Sequence, residues 1–437
     1  MRPELIVLAA GGLLSAVAYG QQAPPPTELG PRLSLDRALG IARERGLDLL
    51  IADAAVAAAR ADELQAAAVA NPALSASVGK SFSYDPSKCP GCSDLAWSVG
   101  VSDQGALVDA VSGKRGLRRE VAGLALQAAR ASREDAQRLL EFQVKQLYFQ
   151  VALAQASLAF ALEVRAAMTA TLELIQVRYR TGAVSEAELA KAETAELEAE
   201  QDVEGAQQGL RDARVGLAFV LGVRGAAPDF EVDGAVLAFR VPSSLEPAPR
   251  ERLLEEARAH RPDLAAARQQ VECAGRARTL ARRLLVPEVN LGLQAAGEGT
   301  GQDALAQPTA SLSLGLVPPL AYQFQGEQAR AEADLAAQRL QLARLEAQVA
   351  AEVEVSWADY LSARHQVERM EARLLDRART ARDLTRIQYE KGVASLLEYL
   401  DAQRTFISNN LEYLKDQADY WTAVAQLERA VGKELAR

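Results

Sequence analysis

Two close cysteines, two histidines and one repeat-matched pair of acids are the side chains here whose types and spacing could do chemistry. Cys89 and Cys92 form a Cys-Pro-Gly-Cys turn, and Cys273 stands alone in a helical stretch. Zinc would need a second such pair, which the chain lacks. A thioredoxin-type dithiol opens a helix, whereas this turn lies in a Pro/Gly loop between strand-like segments. A local Cys89–Cys92 disulfide suits an exported chain; that staple, or no role, are the readings left open. His260 and His365 lie in helical regions of the second half, with no Ser/His/Asp set, phosphate loop or metal-spaced cluster around them. No catalytic residue, metal ligand or cofactor is expected. The acids are Glu173 and Asp383, each two turns before a glycine-marked break in a long helical run.

These positions match because the chain says nearly the same thing twice. Residues 42–80 align without a gap on 257–295, placing Asp48 on Asp263, Leu49 on Leu264 and Pro72 on Pro287. Further on, Tyr179-Arg-Thr-Gly-Ala-Val-Ser aligns on Tyr389-Glu-Lys-Gly-Val-Ala-Ser, and Gly222 on Gly432. A period of roughly 210 residues is far beyond the 20–50 of solenoid repeats and marks a duplicated domain.

Each half carries two alternating segments, the first interrupted on its apolar face by Lys80. Leu74, Ala76, Val78, Phe82 and Tyr84 alternate with Ser75, Ser77, Gly79, Ser81 and Ser83; Leu95, Trp97, Val99 and Val101 alternate with Ala96, Ser98, Gly100 and Ser102. The second half repeats this at Val289, Leu291, Leu293 and Ala295 and at Ala310, Leu312, Leu314 and Leu316. Period two gives each strand one apolar face. The opposite face is mostly Ser, Gly, Thr and Asn rather than charged, which suits strands with lipid outside and water inside.

The rest reads as helix. Leu140, Leu147, Ala154, Ala161, Met168 and Ile175 recur every seven residues, as do Val353, Tyr360, Val367, Leu374 and Ala381, the spacing of coiled-coil packing. A helix over 115–179 would be about 100 Å long. It turns at Gly182, and its counterpart turns at Gly392; Ser185 with Glu188, and Ser395 with Glu398, form capping boxes for the returning helices.

The chain therefore divides into residues 1–20, an expected signal peptide; 21–222, a first repeat with strands about 73–84 and 95–103; 223–250, a Pro/Gly-rich linker near the waist; and 251–437, a second repeat with strands about 288–296 and 309–317. After residue 20 no stretch approaches about 20 uncharged apolar residues. A net charge of −9 argues against a nucleic-acid partner. Four strands cannot close a barrel, and lipid does not tolerate an open sheet edge. Three chains sharing about twelve strands could close one. The fold class is thus mostly α with a small transmembrane β part: a trimeric twelve-stranded barrel continued by an α-helical barrel.

The ordered set resembles the TolC family of outer-membrane efflux proteins. The duplication, Asn71-Pro72-Ala73-Leu74 at the first strand, the tips VRYRTGAVS and IQYEKGVAS, and the stretch from Gly392 to Gly432 carry the likeness. It implies a homotrimeric channel-tunnel in the Gram-negative outer membrane. Its helical body would stand in the periplasm, docking a periplasmic adaptor protein and an inner-membrane efflux pump. It also implies that Arg178, Tyr179, Gly182, Ser185, Tyr389, Gly392 and Ser395 contact the adaptor. Glu173 and Asp383 would form a periplasmic gate, six acids at one height in a trimer.

Overall fold

The two halves build the same succession of elements. The computed structural model describes residues 29–80, 87, 95–226, 229–246, 250–297 and 309–435. The expected signal peptide and the Cys89–Cys92 loop lie outside these residues. A two-residue strand β1 (Arg32–Leu33) leads into α1 (Leu35–Arg45), whose first turn is capped by Ser34 accepting from the Arg37 amide. Then follow α2 (Leu47–Ala67), β2 (Ala73–Lys80), β3 (Leu95–Ser102), a short α3 (Ala106–Val111), the long α4 (Lys114–Arg180) and the returning α5 (Glu186–Val220). The linker contributes β4 (Glu231–Val232), parallel to β1. The second half runs α6 (Arg250–His260), α7 (Pro262–Arg283), β5 (Glu288–Gly297), β6 (Thr309–Val317), α8 (Gln325–Arg369), α9 (Leu375–Glu390) and α10 (Leu396–Val431).

The four longer strands form one antiparallel sheet in the order β2-β3-β5-β6. Its register places like with like. Leu74, Val101, Leu293 and Leu312 form one row across the sheet, and Ser75, Gly100, Gln294 and Ser311 form the next. One face is thus apolar and open to the surroundings: Leu74 is 83% exposed and Leu312 76%. The other is a lattice of small polar groups, with the Ser77 and Ser98 hydroxyls 2.8 Å apart. On the apolar face Gly297 leaves room for the Trp97 ring; a Cβ there would lie 2.4 Å from Trp97 Nε1.

The helices stand in two tiers. Above, α2, α4, α7 and α8 lie side by side; below, the order is α5, α4, α10 and then α8 with α9. At 67 residues α4 is about 100 Å long and runs through both tiers. Between the tiers lies the largest apolar core, where Tyr148, Phe149, Leu217, Tyr360, Tyr420 and Trp421 meet the linker. Tyr148 Oη donates to the Leu33 carbonyl at 2.8 Å and accepts from the Asp233 amide, and Tyr420 Oη donates to the Arg240 carbonyl at 2.9 Å. Buried ion pairs close the same region. Arg261, 3% exposed, donates to Asp263, Glu352 and the Ala430 carbonyl, and Lys145 meets Glu428 at 2.6 Å.

Two expectations need correction. The second heptad series holds at Val353, Tyr360 and Val367, all buried, then fails: Leu374 is 43% exposed and Ala381 is exposed. Residues Met370–Leu374 form a π-helical segment. The wider turn takes up an extra residue and resets the phase, so burial passes to Met370, Ala378 and Tyr389. Secondly, α4 does contain an 18-residue window long and apolar enough for a membrane span. Buried Tyr148, Phe149, Val151 and Ala152 show its apolar side packed into the inter-tier core.

Candidate functional site: the hairpin tips and the amphipathic sheet

Both tips are built by one local rule. α4 ends as the Gly182 amide donates to the Tyr179 carbonyl and the Ala183 amide to the Arg178 carbonyl, both at 2.9 Å. α9 ends with Gly392 donating to Tyr389 at 3.0 Å and Val393 to Gln388 at 2.8 Å. This closure requires a left-handed residue, and the glycines supply it at φ 72° and 74°. The returning helices start from complete capping boxes at Ser185/Glu188 and Ser395/Glu398. Hydrogen bonds from the Ser395 amide and hydroxyl hold the Glu398 carboxyl below its usual range.

The structure joins the two tips through side chains that separate motifs do not reveal. Arg178 Nη2, at the end of α4, donates to the Glu390 carbonyl of α9 at 2.8 Å, and its guanidinium lies 5.0 Å from the centre of the Tyr389 ring. A cation at a helix C-terminus offsets the partial charge of the free carbonyls. Tyr389 stacks on Tyr399 at 5.8 Å, and burial pushes its phenol up although Arg178 pulls the other way. Of the expected tip residues, Arg178 and Tyr389 therefore meet, while Tyr179 remains 40% exposed.

The matched acids differ in surroundings. Glu173 is exposed and has no hydrogen bond or ion pair among the described residues; Asp383 is held by Arg382 at 2.6 Å. Arg382 in turn covers the Phe406 ring at 3.9 Å. The sequence reading missed this arginine because it sits beside the acid rather than at a repeat-matched place. Cys273 donates weakly to the Val121 carbonyl, and burial pushes its thiol up, which suits packing rather than reactivity. Among the described residues no cluster of His, Cys, Asp and Glu could hold a metal.

The duplicated hairpins, their tips and the amphipathic sheet together match one family profile in both halves, the outer membrane efflux proteins, over residues 38–223 and 253–433. The chain belongs to the outer membrane efflux protein family. This is the TolC-like family to which the tips and the duplication pointed. One relative is the pyoverdine export outer membrane protein OpmQ of Pseudomonas putida, 28% identical over 322 residues. That match takes in 72% of this chain and 66% of OpmQ, so the chain spans just under two thirds of that relative's length. Among solved structures, CusC superimposes with a TM-score of 0.75 at 19% identity, over 94% of this chain and 97% of CusC. VceC of Vibrio cholerae gives 0.73 at 19% identity over 92% and 96%. The open state of the MtrE outer membrane channel of Neisseria gonorrhoeae gives 0.72 at 18% over 95% and 96%. At these identities the likeness is one of fold.

Proposed function

We propose that this chain is one third of a gated, passive export duct in the Gram-negative outer membrane. The observation that carries the reading is the sheet. It has one apolar, exposed face and one small polar face, and β2 and β6 each have a free edge among the described residues. In lipid such edges must pair. Three copies joined β6 to β2 close a barrel of about twelve strands with leucine and valine outward and hydroxyls on the lumen. The helical tiers, four across in one chain, continue it as a tube in the periplasm. Substrate passes without bond chemistry. The tips, with Arg178, Tyr179, Gly182, Ser185, Tyr389, Gly392 and Ser395, dock a periplasmic adaptor that links the duct to an inner-membrane pump.

Glu173 and Asp383 form the periplasmic gate in this reading. With Asp383 partnered by Arg382, its three copies contribute less field than three free Glu173 carboxylates. Single-channel recording tests this: Glu173→Gln should reduce cation selectivity more than Asp383→Ala does. Unchanged selectivity in both variants would remove the acids from the gate.

A further inference from the structure

The π turn in the second long helix lines up a row of basic side chains. His365, Arg369, Arg373 and Arg377 recur every four residues through α8, the π segment and α9. In an unbroken α-helix each step of four overshoots the 3.6-residue turn, and three steps would wind the row about 120° around the axis. The π segment takes up one extra residue. Twelve residues then act as about eleven, close to three whole turns, so His365 and Arg377 return to nearly the same face. All four line one groove of about 1150 Å³ between this helix and α10. The row is about 18 Å long.

Two acids that could neutralise the row are engaged elsewhere. Glu368 accepts from Arg364 at 2.7 Å, and Glu371 accepts from the Tyr413 hydroxyl of α10 at 2.6 Å. Arg373 and Arg377 make no hydrogen bond or ion pair among the described residues, and the Arg369 guanidinium donates to the His365 carbonyl at 3.3 Å. Across the groove α10 presents Glu412 and Asp416, which also form no ion pair among the described residues. Burial pushes the Asp416 carboxyl up, and Glu412 and Asp419 push it the same way, while Lys415 and Arg369 pull it down. A basic wall thus faces an acidic one, with no ion pair closing the space between them.

We propose that this groove is a binding site for small amphoteric organic molecules, whose acidic groups meet the arginine row and whose amine meets Glu412 and Asp416. A groove of this size accepts a drug-sized molecule, and arginine takes carboxylate or phosphate oxygens through paired donors. The two walls select for both charges on one molecule. A plain anion leaves two acids facing it, and a plain cation meets three arginines. The site lies within one chain, so it does not rest on the trimeric reading above and can be tested whatever the mass of the particle.

The test is fluorescence anisotropy on the detergent-extracted full chain, with empty micelles as the blank. The probes are calcein, a dye whose iminodiacetate arms carry carboxylates beside amines, and carboxyfluorescein, which has the acids without the amines. Calcein should bind saturably and more tightly than carboxyfluorescein. Arg373→Ser with Arg377→Ser should weaken calcein at least tenfold, whereas Arg379→Ser, outside the groove, should change it less than twofold. Glu412→Gln with Asp416→Asn should weaken calcein several-fold and leave carboxyfluorescein no weaker. These side chains are at the surface or half-buried, and the Arg379→Ser control reports any general loss of positive field. Calcein that fails to saturate, or that the arginine pair does not move, overturns the site, as does an equal loss with Arg379→Ser. Equal affinity for the two dyes overturns the amphoteric assignment.

Discussion

The hairpins of the two halves share a fold and tip geometry but differ along their length. α4 runs without a break for 67 residues, whereas its counterpart is interrupted by the π segment at Met370–Leu374. The returning α5 bears nine acids against three bases, where its counterpart α10 bears six against three. Above, Gly46 sits at the joint of α1 and α2 with no room for a Cβ, 2.5 Å from the Ala42 carbonyl oxygen. At the matching place in the second half stands Arg261, buried among Asp263, Glu352 and the Ala430 carbonyl. A duplicated unit keeps what each copy must do alone, which is to turn, cap and alternate. It diverges where the copies must meet something different.

Breaking the joint is the largest expected effect. Arg261→Met strands two acids without their partner, and loss of one member of a buried pair costs about 3–5 kcal/mol. Denaturant unfolding measures it. The same joint sets a pH dependence. Burial opposes ionisation of Asp263 and Glu352, but Arg261 outweighs it, and both carboxyls sit below their usual range. Their folded pKa values lie under the unfolded ones of ~3.9 and ~4.3, so their stabilisation is complete above about pH 4.5 and is lost as pH falls through the folded values. Thermal unfolding should weaken below about pH 4 in the parent and less steeply in Arg261→Met. Gly46→Ala should destabilise without altering that slope, which separates the two joints.

The tips come next. A β-carbon at Gly182 or Gly392 costs about 1–2 kcal/mol of left-handed strain; bulk or charge there should abolish export while trimers still form. Normal export by Gly392→Asp would detach the tip from adaptor docking. Deleting Ala372 removes the π residue and makes the second long helix resemble the first. Stability should change by less than about 1.5 kcal/mol, near the ordinary range for a point change, while the Tyr413–Glu371 hydrogen bond is lost. A collapse of the fold would mean the segment is not a simple insertion. The smallest expected effect is at the caps, where Ser185→Ala and Ser395→Ala should each cost about 1 kcal/mol, alike in the two halves.

Much of this was legible in the chain because it is local. Alternation at Leu74–Val78 and Leu312–Leu316 shows an apolar strand face from sequence alone, and Gly-x-x-Ser with a glutamate three residues later gives a tip. What stayed hidden joins distant segments. Nothing near Arg178 announces that it will cap α9, and Arg261 reads as an ordinary helix-flanking charge until Glu352 folds over it. The π segment was also missed: a heptad count assumes a uniform turn, and Leu374 and Ala381 continue the pattern in sequence while leaving the core in space. Repeat matching singles out Glu173 and Asp383 as the expected gate, but it gives no sign that Arg382 pairs with Asp383.

In the proposed duct three chains share one barrel. The direct test is the mass of the particle extracted by detergent from outer membranes after expression with its own N-terminus in a Gram-negative host. A shared barrel gives three chains per particle, recovered from the outer membrane. A monomer soluble in the periplasm would contradict it, because the apolar face and free edges of the sheet would then have to be covered within one chain.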